Sequence, residues 1–321
     1  MKAMKLTPAF KDYLWGGTKL RDEFGKLCDY DKVAESWELS CHKDGNSVIA
    51  SGEFAGTSLA DYITGAEKEA LGSHCAKFEN FPILIKLIDA KDNLSVQVHP
   101  DNDYALRVEG EYGKTEMWYV VDCDPGASLL YGFRREISKE EFRRRIENNT
   151  LLEVANRVEV HPGDVFFIEA RTLHAIGSGI LIAEIQQNSN TTYRVYDYGR
   201  VGADGKPRQL HVEKALDVTR LTPPDRPCGR PQAVPESFGG CTSLLLAECE
   251  YFTVRELEIF SRGELTADGT SFHSLLVLDG SFTLSMDGEE MPLKKGDSVF
   301  VPAASGTYAL TGSGKAILTT V

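Results

Sequence analysis

No two of the seven cysteines stand in CxxC spacing, no apolar run approaches the ~18 residues of a membrane span, and acidic residues outnumber basic ones 48 to 35. Each lack excludes something. An odd, scattered set of cysteines reads as reduced thiols in a reducing compartment, not as a disulfide framework or a zinc–thiolate site. The opening residues Met1 to Pro8 hold no apolar core of a secretory signal, so a cytoplasmic location is expected. A formal charge of −13 argues against nucleic acid as a partner. A small anionic substrate is compatible with that charge if a few cations are placed locally, and Lys86, Lys114 and Arg194 are such residues. No membrane partner is expected, and the chain is expected to act as a monomer or homodimer.

Helix signals are also scarce. Ser138-Lys139-Glu140-Glu141 and Thr150-Leu151-Leu152-Glu153 match capping boxes and predict helices over 139–148 and 151–157. Shorter helices are expected near 17–25, 58–63 and 65–72. What is abundant is strand-like sequence punctuated by Gly, Asp and Pro, the spacing of a sandwich or barrel. With 321 residues the chain can form two domains. A stretch from Thr219 to Ser237 holds Pro223, Pro224, Pro227, Pro231 and Pro235, five of the thirteen prolines, and reads as a linker. The division expected is 1–220, with a short helical insertion near 136–157, a linker over 221–240, and a β unit over 241–321.

The two units resemble each other. Gly163-Asp164-Val165-Phe166-Phe167-Ile168 lines up with Gly296-Asp297-Ser298-Val299-Phe300-Val301, and Trp118 to Asp122 with Leu275 to Asp279. A Gly-Asp turn entering an apolar strand, twice, suggests a duplicated β-barrel. The fold class expected is therefore mainly β.

Gln97-Val98-His99 then carries the chemistry. The apolar run Phe81 to Ala90 leads through Lys91-Asp92-Asn93 into Leu94 to His99, and on a strand residues i and i+2 share a face. Gln97 and His99 can thus enter one cavity. Glu116 opens an apolar strand and His174 follows the Gly-Asp strand, completing two imidazole nitrogens, a carboxylate and an amide oxygen. Such a set suits Zn²⁺, while Fe²⁺, Mn²⁺ or Co²⁺ fit the same ligands. In the second copy Glu116 falls opposite His273 and His174 opposite Thr307, so residues 241–321 read as a metal-free copy and His273 as an ordinary strand histidine. His42, which could face the same cavity, and His74, His161 and His211 are weaker candidates.

With these residues in view the chain resembles the type I mannose-6-phosphate isomerases (phosphomannose isomerases) of short bacterial form. The matching motifs are Trp15-Gly16-Gly17, Ala34 to Ser40, Leu94 to Pro100, Gly113 to Glu116, Leu173-His174-Ala175, Glu184 to Asn190 and Tyr193 to Asp197, in the family's order. They cover about residues 5–220. The resemblance implies two cupin-type (jelly-roll) barrels and one Zn²⁺ per chain bound by Gln97, His99, Glu116 and His174. It also implies a sugar phosphate substrate, Arg194 as an active-site residue, Glu184 and Lys114 flanking the reacting carbons, and Ser95 and Lys86 near the bound sugar phosphate. The chain departs from longer members, which carry an extra helical domain for which there is no room here.

The implied reaction interconverts mannose 6-phosphate and fructose 6-phosphate through a cis-enediolate. Glu184 is the first choice of base and Lys114 the second. A Glu amid the apolar residues 179–186 should face inward, and a drier cavity should raise its pKa. The alternative is that Glu184 only forms a salt bridge with Lys114 or Arg194. Arg194 would act as a fixed cation. Two other readings stand beside this one: a non-catalytic cupin-like sugar-binding or regulatory protein, and an Fe²⁺ oxygenase on the same barrel.

Overall fold

The computed structural model describes residues 1–65, 69–201 and 205–321. Strands dominate, and the longest helix among the described residues is Lys139–Glu147. No helix among them is long and apolar enough to cross a membrane.

Two sheets make the first barrel. One runs, side by side, Val165–Ile168, Glu116–Cys123, Ile180–Gln187, Ile83–Ala90, Glu35–Leu39 and Ala9–Lys11. The other runs Ala155–Glu159, Ser128–Phe133, His174–Ala175, Val96–Val98 and Tyr193–Tyr196. The strands Ile83–Ala90 and Ile180–Gln187 are buried throughout, because each face meets a different core. Ile83, Ile85, Leu87, Leu181, Ala183 and Ile185 join a cluster that includes Phe252, Val254 and Leu276 of the C-terminal barrel. Ile88, Ala90, Ile180 and Ile182 turn the other way, against Trp118, Leu129 and Phe166 inside the first barrel. Further along that inward face the same parity delivers Lys86, Glu184 and Gln186, all buried. Strand alternation thus carries an apolar barrel floor into a polar site at one end.

Residues 241–321 supply the second barrel, from Cys241–Glu248 to Gly306–Thr320. Met4–Thr7 joins it as well, pairing with Ser298–Val301 in the register Leu6↔Ser298. The duplication holds at atomic detail. Phe166 pairs with Trp118 as Val299 pairs with Leu275, the register the sequence alignment requires. Gly163 N donates to Val120 O at 2.8 Å, and Gly296 N to Val277 O at 2.9 Å. Both glycines sit at φ +90, where a side chain would be strained. Asp287-Gly288 turns tightly between His273–Met286 and Glu289–Lys294, where the first copy inserts residues 134–154. The proline-dense stretch lies along the first barrel, Gly229 bridging to Val165.

The first capping box behaves as expected: Ser138 Oγ accepts from Glu141 N at 3.1 Å and opens Lys139–Glu147. The second does not. Thr150 makes no side-chain cap bond, Leu151–Glu153 is a single 3₁₀ turn, and Ala155–Glu159 enters the sheet beside Ser128–Phe133. There the open sheet edge outcompetes a local helix signal. The helix expected over 17–25 contracts to Lys19–Asp22, and that over 58–63 is Leu59–Gly65. Of 65–72, Glu69–Leu71 forms a 3₁₀ turn and residues 66–68 lie outside those described. Asn102–Val108 was not foreseen, although Asp101 caps it by accepting from Tyr104 N at 3.0 Å. Val212–Val218 was also missed.

Candidate active site

The polar end of the first barrel opens into a cavity of about 310 Å³. Among the described residues its walls carry four cations, Lys86, Lys114, Arg194 and Arg208, against two carboxylates, Glu35 and Glu184. On a chain of charge −13 this is the local positive field an anionic ligand needs.

Metal-ligating chemistry gathers at one side. His99, Glu116 and His174 are buried and bring one ligand atom each within 4.8 Å of one another. His99 Nδ1 faces Thr191 O at 2.9 Å and His174 Nδ1 faces Thr172 O at 2.8 Å. Those carbonyls can only accept, so each Nδ1 carries the proton and each Nε2 presents a lone pair. The two Nε2 atoms lie 3.1 Å apart, and Glu116 Oε1 is 3.4 Å from that of His174. Burial and the Lys114 ammonium keep both imidazoles neutral, His174 at about 3 and His99 well below the usual range. Glu116 Oε1 is buried without a hydrogen-bond partner among the described residues. Converging lone pairs repel unless a cation lies between them. A 3.1 Å separation suits two nitrogens each about 2.0 Å from one ion. The residues present therefore fit a divalent cation.

Gln97 is half-buried on the cavity wall, between His174 and Arg194 in the sheet register. Directly paired residues share a face, so Gln97 opens toward the same interior. His99 lies one residue beyond its strand, Val96–Val98, and is buried.

From the metal-ligating group a line of alternating charges runs along the cavity. Lys114 Nζ contacts Glu116 Oε2, His99 Nε2 at 3.2 Å and Glu184 Oε1 at 3.6 Å. Lys86 Nζ reaches Glu184 Oε1 at 3.3 Å and Glu35 Oε2 at 3.6 Å. Two indoles fix the carboxylates: Trp118 Nε1 donates to Glu184 at 2.9 Å and Trp37 Nε1 to Glu35 at 2.7 Å. Sheet register explains the meeting, since Trp118, Glu184, Lys86 and Trp37 are laterally paired across four strands.

This corrects one expectation. Glu184 is inward and dry, and burial by itself would push its carboxyl up. The ammonium groups of Lys114 and Lys86 outweigh burial and hold it at about 2. Burial and the charge of Glu184 instead push Glu116 up, to about 7, against the pull of Lys114. Coulombic attraction to Glu35 and Glu184 keeps Lys86 above its usual value despite burial. The salt bridge of Glu184 is with Lys86 and Lys114, and none to Arg194 is formed among the described residues.

At the opposite side Arg194 Nε donates to Ser95 Oγ at 3.2 Å, and Arg208 is held by Asp197 through Nε at 2.7 Å. Burial and the neighbouring Arg208 lower the Arg194 pKa, yet a guanidinium stays charged at any working pH. Glu35, Arg208, Asn190 and Thr192 were missed as site residues. Glu35 left a signal as a carboxylate in the buried strand Glu35–Leu39, but Glu38 shares that signal and pairs with Lys26 outside the cavity; Arg208 sits in an irregular segment with no periodicity to read. His42 lines a separate cavity beside Cys41 and Glu111, not this one. His273 is an ordinary strand residue, its Nδ1 facing Tyr308 Oη at 2.8 Å.

Residues 3–117 match the model of the phosphomannose isomerase type I catalytic domain, and residues 242–321 that of the mannose-6-phosphate isomerase cupin domain. The chain is 39% identical over 309 residues to a probable mannose-6-phosphate isomerase of Bacillus subtilis (strain 168), covering 96% of each. It is 39% identical over 303 residues to a mannose-6-phosphate isomerase of Streptococcus mutans serotype c, covering 93% of this chain and 92% of that one. The fold matches the crystal structure of the mannose 6-phosphate isomerase from Bacillus subtilis with a TM-score of 0.92 at 36% identity, over the whole of both chains. With likeness at both ends, along the sequence and across the fold, the chain belongs to the type I mannose-6-phosphate isomerases.

Proposed function

We propose that this isomerase works in the cytoplasm with one Zn²⁺ per chain, held by Gln97, His99, Glu116 and His174, and passes through a cis-enediolate. When bound, the ion supplies Lewis acidity that offsets negative charge growing on the substrate oxygens. The chain's own groups do the rest. Glu184 Oε1 takes the proton from C2 and returns it to C1. Lys114 Nζ, within reach of both Glu184 and Glu116, passes a proton between O2 and O1. Lys86 holds Glu184 in line and donates to a sugar oxygen. Glu184 is a weak base while two ammonium groups face it. Its basicity rises when substrate oxygens take those ammoniums as partners, so proton abstraction is coupled to binding. Arg194 and Arg208 hold the phosphate at the other end of the cavity, where Ser95 orients Arg194.

The observation that carries this reading is one continuous constellation. Converging imidazole and carboxylate lone pairs stand beside a carboxylate set between two ammonium groups, inside one cation-rich cavity. A sugar-binding protein without turnover has no use for that flanked carboxylate. The test is a coupled assay for fructose 6-phosphate before and after chelation. Activity should vanish with the metal and return with Zn²⁺; full activity after verified metal removal sinks the Lewis-acid account.

A further inference from the structure

His99 is aimed by the main-chain carbonyl of Thr191, and a carbonyl stands wherever its loop is held. That loop, residues 188–192, joins Ile180–Gln187 to Tyr193–Tyr196 and also carries Asn190 and Thr192 on the cavity wall. Gln186 grips it from inside the barrel. The Gln186 amide donates from Nε2 to Gln187 O and to Ser189 O, each at 2.7 Å. With both hydrogens committed, the amide cannot be turned over without setting its oxygen against two carbonyl oxygens. From outside, Glu111 accepts from Thr191 Oγ1 at 3.3 Å and from Asn190 N at 3.4 Å, and Asp44 accepts from Asn190 Nδ2 at 2.9 Å.

Gln186 is fully buried and directly opposite Glu116 in the sheet register, so the two side chains share the inward face. Its Oε1, like Glu116 Oε1, has no hydrogen-bond partner among the described residues.

We propose that Gln186 is a positioning residue of the metal centre. It sets the Thr191 carbonyl, and through it the tautomer and aim of His99. By the same loop it ties the metal ligands to the substrate wall at Asn190 and Thr192. This rests on the reading of His99, Glu116 and His174 as metal ligands.

The test is Zn²⁺ affinity, by competition with a chromophoric chelator, in Gln186→Met, which keeps the volume and loses both N–H donors. Affinity should fall at least several-fold, toward the about 10–100-fold range for outright loss of an outer partner of a ligating imidazole, since the Thr191 carbonyl is displaced but not removed. The visible spectrum of the Co²⁺-loaded protein should change, and KM for the sugar phosphate should rise. A folded variant that binds Zn²⁺ within twofold of the parent overturns the proposal and leaves the metal reading intact. A parent that binds no Zn²⁺ overturns the metal reading itself. If Gln186→Met does not fold, Glu111→Ala loosens the loop from the outside, where Glu111 is partly exposed. Several-fold weaker Zn²⁺ binding is then expected, and unchanged affinity overturns the proposal.

Discussion

Replacing Lys86 with methionine removes the ammonium between Glu35 and Glu184 at nearly constant volume. Lys86 is 4% exposed, Glu184 3% and Glu35 7%, so water has little access to the carboxylates left behind. Breaking a buried pair costs about 3–5 kcal/mol, because a charge is stranded without compensation. Here both carboxylates keep other partners. Glu184 retains Lys114 at 3.6 Å and Trp118 at 2.9 Å, and Glu35 retains Trp37 at 2.7 Å. The lower end of the range, about 3 kcal/mol, is therefore expected. Unfolding entropy of about 2.1 cal/mol/K per residue gives about 0.7 kcal/mol/K for 321 residues, hence a Tm lower by about 4–5 °C. Thermal unfolding of the metal-free protein at pH 7 reads this directly. The double variant Lys86→Met/Glu35→Gln should recover about half of the loss, since it removes one stranded charge. A shift below about 1 °C would mean that the cavity solvates Lys86 and that the charge line carries little energy. A double variant no better than the single one would remove Glu35 as its partner.

Glu184→Gln should lower turnover by about 10²–10⁴-fold with bound Zn²⁺ unchanged, the loss typical of a general base; near-normal activity removes Glu184 from that role. Arg208→Gln should raise KM for the phosphorylated sugar by at least about 10-fold, as expected for loss of a charge-assisted bond, with kcat little affected. An unchanged KM would place the phosphate elsewhere. His273 supplies a pH test away from the proposed metal ligands. Burial holds its imidazole at about 4, opposed weakly by Asp268. As pH falls below ~6.5 the unfolded chain takes up this proton first, so stability should drop between pH 6.5 and 4, by up to about 2 kcal/mol at pH 5. His273→Gln should flatten that part of the denaturant-measured stability curve, and an identical pH profile would refute the assignment.

The barrels were legible because their signals are local. Gly163-Asp164 and Gly296-Asp297 each form a turn that only a positive φ allows, and each is followed by an apolar strand. Ser138 likewise caps its helix with groups three residues apart. Where the outcome depended on distant chain, the reading failed. Thr150 carries the same capping pattern as Ser138, yet the residues after it had a sheet edge at Ser128–Phe133 to complete. The join of Met4–Thr7 to Ser298–Val301 spans nearly the whole sequence and leaves no trace in either segment.

The site divides along the same line. His99, Glu116 and His174 stand out as unusual residue types at strand ends, whereas the charge state of Glu184 depends on which neighbours the register supplies. The strand Ile180–Gln187 is buried on both faces, so burial alone cannot say which face is inward. Parity does say something. Glu184 and Gln186 share one parity in that strand, and Lys86 stands at the matching level of its neighbour Ile83–Ala90. A one-residue slip would turn Glu184 out of the cavity and into the apolar core shared by the two barrels, toward Phe252 and Leu276, while Ala183 and Ile185 turned into the site. Two buried faces and one charged level therefore admit a single register. Once that register is accepted, Lys86 must face Glu184, and the carboxyl must be held low instead of raised. The expectation of a raised pKa went wrong by treating burial as solvent loss alone, when in an antiparallel sheet burial also means having a partner directly across.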